Sequence, residues 1–165
     1  MPTLNLAVDG VGGIDQFTLD AGATKAIAVA LPDDDNTTTI TGTINQTQDL
    51  TFGTSALLVG ASISNVALRI RFKGAIGGTS PQLFIVSVAP SDPTALTVDV
   101  AYADVTVNYP LAPNGTAWNK AFIDNMYAQI SLDGTAGTIV ITSVSAVVTY
   151  TPGGYESRLP MMGVS

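Results

Sequence analysis

The sequence predicts an all-β protein: a jelly-roll-like antiparallel β-sandwich with one short helix and extended N- and C-terminal arms. Three observations carry this. Apolar residues recur at every second position through most of the chain, Gly and Pro interrupt the runs at short intervals, and one segment alone has helical spacing. With 165 residues, 46% hydrophobic and 12% charged, the chain is too apolar for disorder. A chain this long buries about 70% of its unfolded surface without metal or disulfide staples.

The elements follow in order. Leu4, Leu6 and Val8 alternate until the glycines at 10, 12 and 13, and Phe17 and Leu19 alternate after them. Ile27, Val29 and Leu31, with alanines between, predict a strand that stops at Pro32. The Thr-rich run 37–44 puts Ile40 and Ile44 on one face. Val66, Leu68, Ile70 and Phe72 then point one way while Ala67, Arg69, Arg71 and Lys73 point the other, the clearest half-buried strand in the chain. Residues 83–88 read as a continuous apolar strand covered on both faces. Leu96, Val98, Val100 and Tyr102 alternate, and Val105, Val107 and Tyr109 resume out of phase, which predicts a bulge or bend near Asp104. Trp118, Phe122 and Met126 lie four apart, as do Asn119, Ile123 and Tyr127. With Thr116 as N-cap, they predict a helix over 117–125. A strand over 126–132, a turn at Asp133-Gly134 and a long strand over 138–150 complete the sandwich, the last with Val144, Ala146, Val148 and Tyr150 on one face. The chain thus divides into residues 1–20, an N-terminal arm or first strand; 21–151, the sandwich; and 152–165, a Pro- and Gly-containing tail.

Composition removes whole classes of function. There is no Cys and no His, which excludes disulfides, Cys-containing zinc sites and Ser-His-Asp or Cys-His catalysis. Six Lys and Arg against thirteen Asp and Glu give a net charge of −7. That argues against a nucleic-acid partner, which needs a basic surface. The uncharged stretches 50–68 and 134–155 are broken by Gly, Ser, Thr or Asn and read as strands rather than membrane helices. The start, Met1-Pro2-Thr3-Leu4-Asn5, lacks the basic and apolar regions of a signal peptide. A soluble protein without membrane partner or cofactor is expected.

From about Ser64 to Thr151 the order of features is distinctive. A strand with a basic outer face precedes a Gly-rich turn and an apolar strand. Trp118-x3-Phe122-Ile123-x-Asn125 then runs into a strand ending near Leu132, and the last strand closes on Val148-Thr149-Tyr150. This resembles the jelly-roll β-sandwich domains of tailed-bacteriophage virion structural proteins, found in capsid decoration proteins, fibres and tail-associated adhesins. The resemblance implies the sandwich fold and a place in the virion, and it supplies no catalytic residues to carry over.

Asp33-Asp34-Asp35-Asn36 offers oxygen ligands for Ca²⁺ but fits no EF-hand spacing, and a solvated turn is the plainer reading. Arg69, Arg71 and Lys73 form either an electrostatic patch for an acidic partner or a solvated face or charged sheet edge. Trp118, Tyr102, Tyr109 and Tyr127 are candidates for a sugar-stacking platform, although Trp118 sits with Phe122 on an apolar helix side and reads as core. Tyr155, in the tail, is the better exposed aromatic. Glu156 is the single Glu, so paired-carboxylate glycoside hydrolysis has little to draw on. The Asn-x-Thr sequons at Asn36, Asn45 and Asn114 are expected by chance in a chain rich in Thr and Asn.

The resulting expectation is a non-enzymatic virion structural protein. It would be a capsid decoration or cement protein that stabilises the shell through contacts with the major capsid protein or other virion subunits, as a homo-oligomer with a trimer favoured. Its contact residues would include Arg69, Arg71, Lys73, Tyr155, Arg158, Met161 and Met162. The alternative is a carbohydrate-binding or host-adhesion module of a tail or fibre, or a minor tail or neck subunit.

Overall fold

The computed structural model describes residues 1–20, 24–30, 38–57, 59–74, 81–87, 89–97, 99–132 and 137–153. Ten strands are present: β1 (Thr3–Asp15), β2 (Thr18–Leu19), β3 (Ile40–Thr43), β4 (Thr47–Phe52), β5 (Ser62–Gly74), β6 (Pro81–Val86), β7 (Thr94–Ala95), β8 (Ala103–Tyr109), β9 (Tyr127–Leu132) and β10 (Thr138–Thr151). Two short helices accompany them, α1 (Lys25–Ala30) and α2 (Lys120–Asp124). All pairings between these strands are antiparallel. The fold is the expected jelly-roll-like β-sandwich.

In the first sheet β5 lies between β8 and β10, and the other side of β10 is shared by β3 at its start and β1 near its end, with β2 beside β3. The second sheet runs β1-β4-β9-β6-β7. Strand β1 belongs to both: Thr3 to Ala7 pair with β10, and Val8 onward pair with β4. A strand that changes sheets makes the corner of the sandwich. The glycines at 10, 12 and 13 therefore do not end the strand, as the sequence suggested. They lie in a stretch of shifted register that continues to Asp15.

Side-chain alternation explains the core. Val66, Leu68, Ile70 and Phe72 of β5 face inward with Val144, Ala146 and Val148 of β10, and Leu50, Leu83, Ile85, Ala128 and Ile130 of the second sheet join the same buried cluster. On β10, Ile139 and Ile141 are also buried, which is the opposite parity. A bulge reconciles the two sets. Ile141 and Ser143 pair with the consecutive residues Phe72 and Arg71, so Thr142 is the extra residue that switches the phase. Its hydroxyl is buried with no hydrogen-bond partner among the described residues.

Several local expectations are corrected. Residues 25–30 are helix α1, not a strand, and so the described residues hold two helices rather than one. Alternating alanines mimic a strand period, yet Ala26, Ala28 and Ala30 are strong helix formers. Thr24 also caps the turn, its Oγ1 accepting from Ile27 N–H at 3.2 Å and its carbonyl from Ala28 N–H at 2.9 Å. Helix α2 starts three residues later than predicted. Its N-cap is Asn119, whose Oδ1 accepts from Phe122 N–H at 3.0 Å, while Thr116 closes the preceding turn on Asn114. Trp118 and Ile123, both buried, hold the positions of a hydrophobic staple around that cap. Strand β6 is covered on one face only, because Gln82 and Phe84 remain half exposed. Residues 99–102 form no strand, and Val100 is 65% exposed, so a connection rather than a bulge precedes β8.

Two substitutions test this packing. Thr142→Val removes an unpartnered buried hydroxyl and is expected to raise unfolding free energy by about 1 kcal/mol. Gly42→Ala is expected to lower it by about 1–3 kcal/mol, since the new methyl would meet the buried Phe17 ring. Urea unfolding of each variant reads both signs.

Candidate functional site

The sandwich leaves two outward sheet faces, and the polar chemistry of the chain is concentrated on them. On the first sheet, β5 presents Arg69, Arg71 and Lys73. Register places Arg69 between Thr106 of β8 and Ser145 of β10, and Arg71 between Asp104 and Ser143. Because β5 is paired on both sides, the reading of these charges as protection of a sheet edge is wrong; β8 is the outer strand. Arg71 makes an ion pair with Asp104 at 2.7 Å. The Lys73 ammonium lies 4.4 Å from the centre of the Tyr102 ring and the Arg71 guanidinium carbon 5.7 Å from it, both within cation–π range. Arg69, Arg71, Thr106, Ser143 and Ser145 line an open groove of about 380 Å³.

On the second sheet, β9 presents Tyr127, Gln129 and Ser131, β6 presents Gln82 and Phe84, and β4 presents Thr47, Asp49 and Thr51. Phe84 is opposite Gln129 and Gln82 opposite Ser131. Tyr127, opposite Val86, is thus the diagonal neighbour of Phe84, about 7–8 Å away along the sheet. Asp49 anchors this face. It is only 3% exposed, and its carboxylate accepts from Gln129 Nε2 at 2.9 Å and from the Ile14 N–H at 3.0 Å. A buried carboxylate needs such donors. The wandering end of β1 supplies one of them and covers the acid, and Gly12 permits the approach: a Cβ there would stand 2.6 Å from that of Asp49. Burial, and then the Asp49 charge, push the Tyr127 hydroxyl pKa upward.

Aromatic residues sort by location. Phe17, Phe52, Phe72 and Trp118 are in the core, and Tyr109, Phe122 and Tyr150 pack on its margin. Trp118 is 3% exposed and its Nε1 donates to the Tyr109 carbonyl at 2.9 Å, so neither Trp118 nor Tyr109 belongs to a sugar platform. Tyr102, on the first-sheet side, and Phe84 and Tyr127, on the second, are half-exposed rings outside the core cluster. Sequence reading missed Phe84, Gln82, Gln129 and Asp49. A signal was present in the alternation of 127–132, whereas the apolar run of β6 hid the outward side of Phe84.

The remaining candidates separate cleanly. Tyr155, Arg158, Met161, Met162, Glu156 and the Asp33–Asp35 run lie outside the described residues. Among the described residues, no three His, Cys, Asp or Glu gather to hold a metal ion, and no helix is long and apolar enough to cross a membrane. Asn45 and Asn114 sit in turns, Asn45 with φ 59°.

One polar cluster joins the loop after β4 to α2. Ser55 Oγ donates to Asp124 Oδ1 at 2.7 Å, and Lys120 Nζ donates to Asp124 Oδ2 at 2.6 Å and to the Ser55 carbonyl at 3.0 Å. Lys120 and Ser55 thus both donate to the one Asp124 carboxylate. The group clamps the two together.

No protein-family model and no curated protein matches the sequence. Among solved structures, one described as "CBM4 structure and function" (CBM, carbohydrate-binding module) aligns over 89% of this chain and 94% of its own, with TM-score 0.48 and 9% identity. Another, "Structure of a family two carbohydrate esterase from Cellvibrio japonicus", aligns over 93% of this chain and 36% of its own, with TM-score 0.37 and 13% identity. Neither is described as a virion protein. The strand pairing itself carries the fold assignment.

The clamp makes a pH prediction. Burial raises the Asp124 pKa, but the hydrogen bonds from Lys120 and Ser55 outweigh it, and the net shift is below the ordinary 3.8. The stability this contributes is full above that ordinary value and is lost as pH falls through the depressed folded value. Asp124→Asn is therefore expected to be less stable near neutrality and to show a shallower loss of stability below pH 3.8. Denaturation midpoints measured across acid pH check both parts.

Proposed function

We propose that this chain is a non-catalytic carbohydrate-binding module whose ligand surface is the outward face of the second sheet. The observation that carries the reading is the pair of half-exposed rings, Phe84 and Tyr127, on adjacent strands outside the core. Aromatic faces take up the CH groups of a pyranose with little loss of side-chain entropy, since each has only two side-chain torsions. Gln82 and Gln129 stand on the same face, and an amide both donates and accepts, as adjacent sugar hydroxyls require. Asp49 fixes the Gln129 amide, so that donor is positioned before ligand arrives. The descriptions of the two similar structures agree with this reading, which stands on the side chains alone.

A second reading, a subunit that works by assembly with other copies, is favoured by one observation. Met1, Val59 and Leu111 are 84%, 90% and 52% exposed, and all lie at the end of the sandwich where β10 finishes. There the Tyr150 N–H donates to the Pro2 carbonyl, Gly153 approaches Gly60, and Val66 pairs with Tyr109. The decoration role expected from sequence belongs to this reading.

Affinity electrophoresis through gels containing neutral polysaccharides tests the first reading. Tyr127→Ala and Phe84→Ala should each weaken retardation about tenfold with unchanged thermal midpoints. Full retention of binding in both variants, or no retardation by any neutral glycan, would remove the platform. Light scattering tests the second: a stable oligomer that Val59→Asp and Leu111→Asp dissociate supports it, and a monomer at all concentrations overturns it.

A further inference from the structure

The outward face of the first sheet carries chemistry that the aromatic platform does not use. Three of the chain's six Lys and Arg, Arg69, Arg71 and Lys73, stand at alternate positions of one strand, spaced about 6.5–7 Å apart. Asp104 is the acidic side chain opposite this row, and Asp99 lies beyond its Lys73 end, where its carbonyl accepts from Gly74 N–H. Among the described residues, the groove lining holds two arginines and one carboxylate, a cationic balance on a protein whose net charge is −7.

We propose that this groove binds a carboxylate-bearing polysaccharide, on the opposite face of the sandwich from Phe84 and Tyr127. The glycan reading above supplies the ligand class; the site and its charge preference stand on their own residues. Three features select this occupant. First, β5, which carries the basic row, is hydrogen-bonded on both sides, so a peptide cannot add to that strand. Second, the hydroxyls of Thr106, Ser143 and Ser145 line the groove beside the arginines, which matches a ligand carrying hydroxyls and carboxylates together. Third, three cations on so acidic a chain are far from the basic surface a nucleic acid requires. The Arg71–Asp104 pair does not close the site. The Arg71 side chain is 20% exposed and that of Asp104 74%, so the pair opens to water on its acidic side, where a ligand carboxylate competes with Asp104 for the guanidinium. Arginine's fixed fork then holds that carboxylate through two parallel hydrogen bonds.

The test uses the full chain in affinity electrophoresis and titration calorimetry with polygalacturonate, a neutral polysaccharide and poly-glutamate. The wild type should bind polygalacturonate in a salt-sensitive manner and more tightly than poly-glutamate. Arg69→Gln/Arg71→Gln should weaken that binding about tenfold or more while leaving neutral-glycan binding unchanged. Asp104→Asn, which removes the competing carboxylate, should tighten it, so the site remains testable even where the double variant misfolds. Failure to bind polygalacturonate, equal affinity for poly-glutamate, or indifference to both variants overturns the proposal. Because the aromatic platform is read with the neutral glycan, either surface can fail while the other stands.

Discussion

The pairing of β5 with β10 is the constraint on which the rest of the structure depends. It runs from Ile139 opposite Gly74 to Thr151 opposite Ser62, the longest ladder in the molecule, and most of the buried apolar residues of the first sheet lie on these two strands. A one-residue slip would turn that whole set outward. The burial of Val66, Leu68, Ile70 and Phe72 therefore fixes the outward row of Arg69, Arg71 and Lys73 as firmly as it fixes the core. Bulges at Thr142 and Ser64 adjust phase locally without breaking the ladder.

The ladder also decides where the other elements go. Since β5 occupies one side of β10 along its length, β3 and β1 divide the other side. Strand β1 must leave before β3 begins, and it leaves by crossing to the second sheet. Its shifted, glycine-containing end then lies against Asp49. In this way a topological necessity at one sheet produces the buried carboxylate that orients Gln129 on the other.

The outward faces differ in character for a related reason. The first sheet keeps arginine, lysine, serine and threonine outward, so water or a polar ligand satisfies it. The second keeps two aromatic rings and two amides outward, and a half-exposed ring costs apolar hydration unless something covers it. Each face thus presents a different chemical demand, and the two ligand classes proposed follow from that difference. The Ser55–Lys120–Asp124 clamp, by contrast, uses its charges internally.

Period-two alternation was enough to predict the sandwich, the strand over β5 and the long closing strand, because those features depend on which side of a strand is apolar, and the four-residue spacing after Trp118 was enough to place that ring in the core. The basic row was legible for the same reason. What alternation could not show was neighbourhood. Helix α1 was hidden because alanine satisfies either period, and a six-residue helix offers too few turns to reveal its own. Only strand order revealed that β5 is interior, that β1 spans both sheets and that Phe84 lies diagonally from Tyr127, positions 43 residues apart in sequence. Side-chain direction is local information carried by every strand, whereas the partner across a sheet is chosen by burial over the whole chain. The sequence by itself therefore determined which residues face outward where alternation is clean, as on β5, and the tertiary structure decided the outward face of β6 and which outward residues meet.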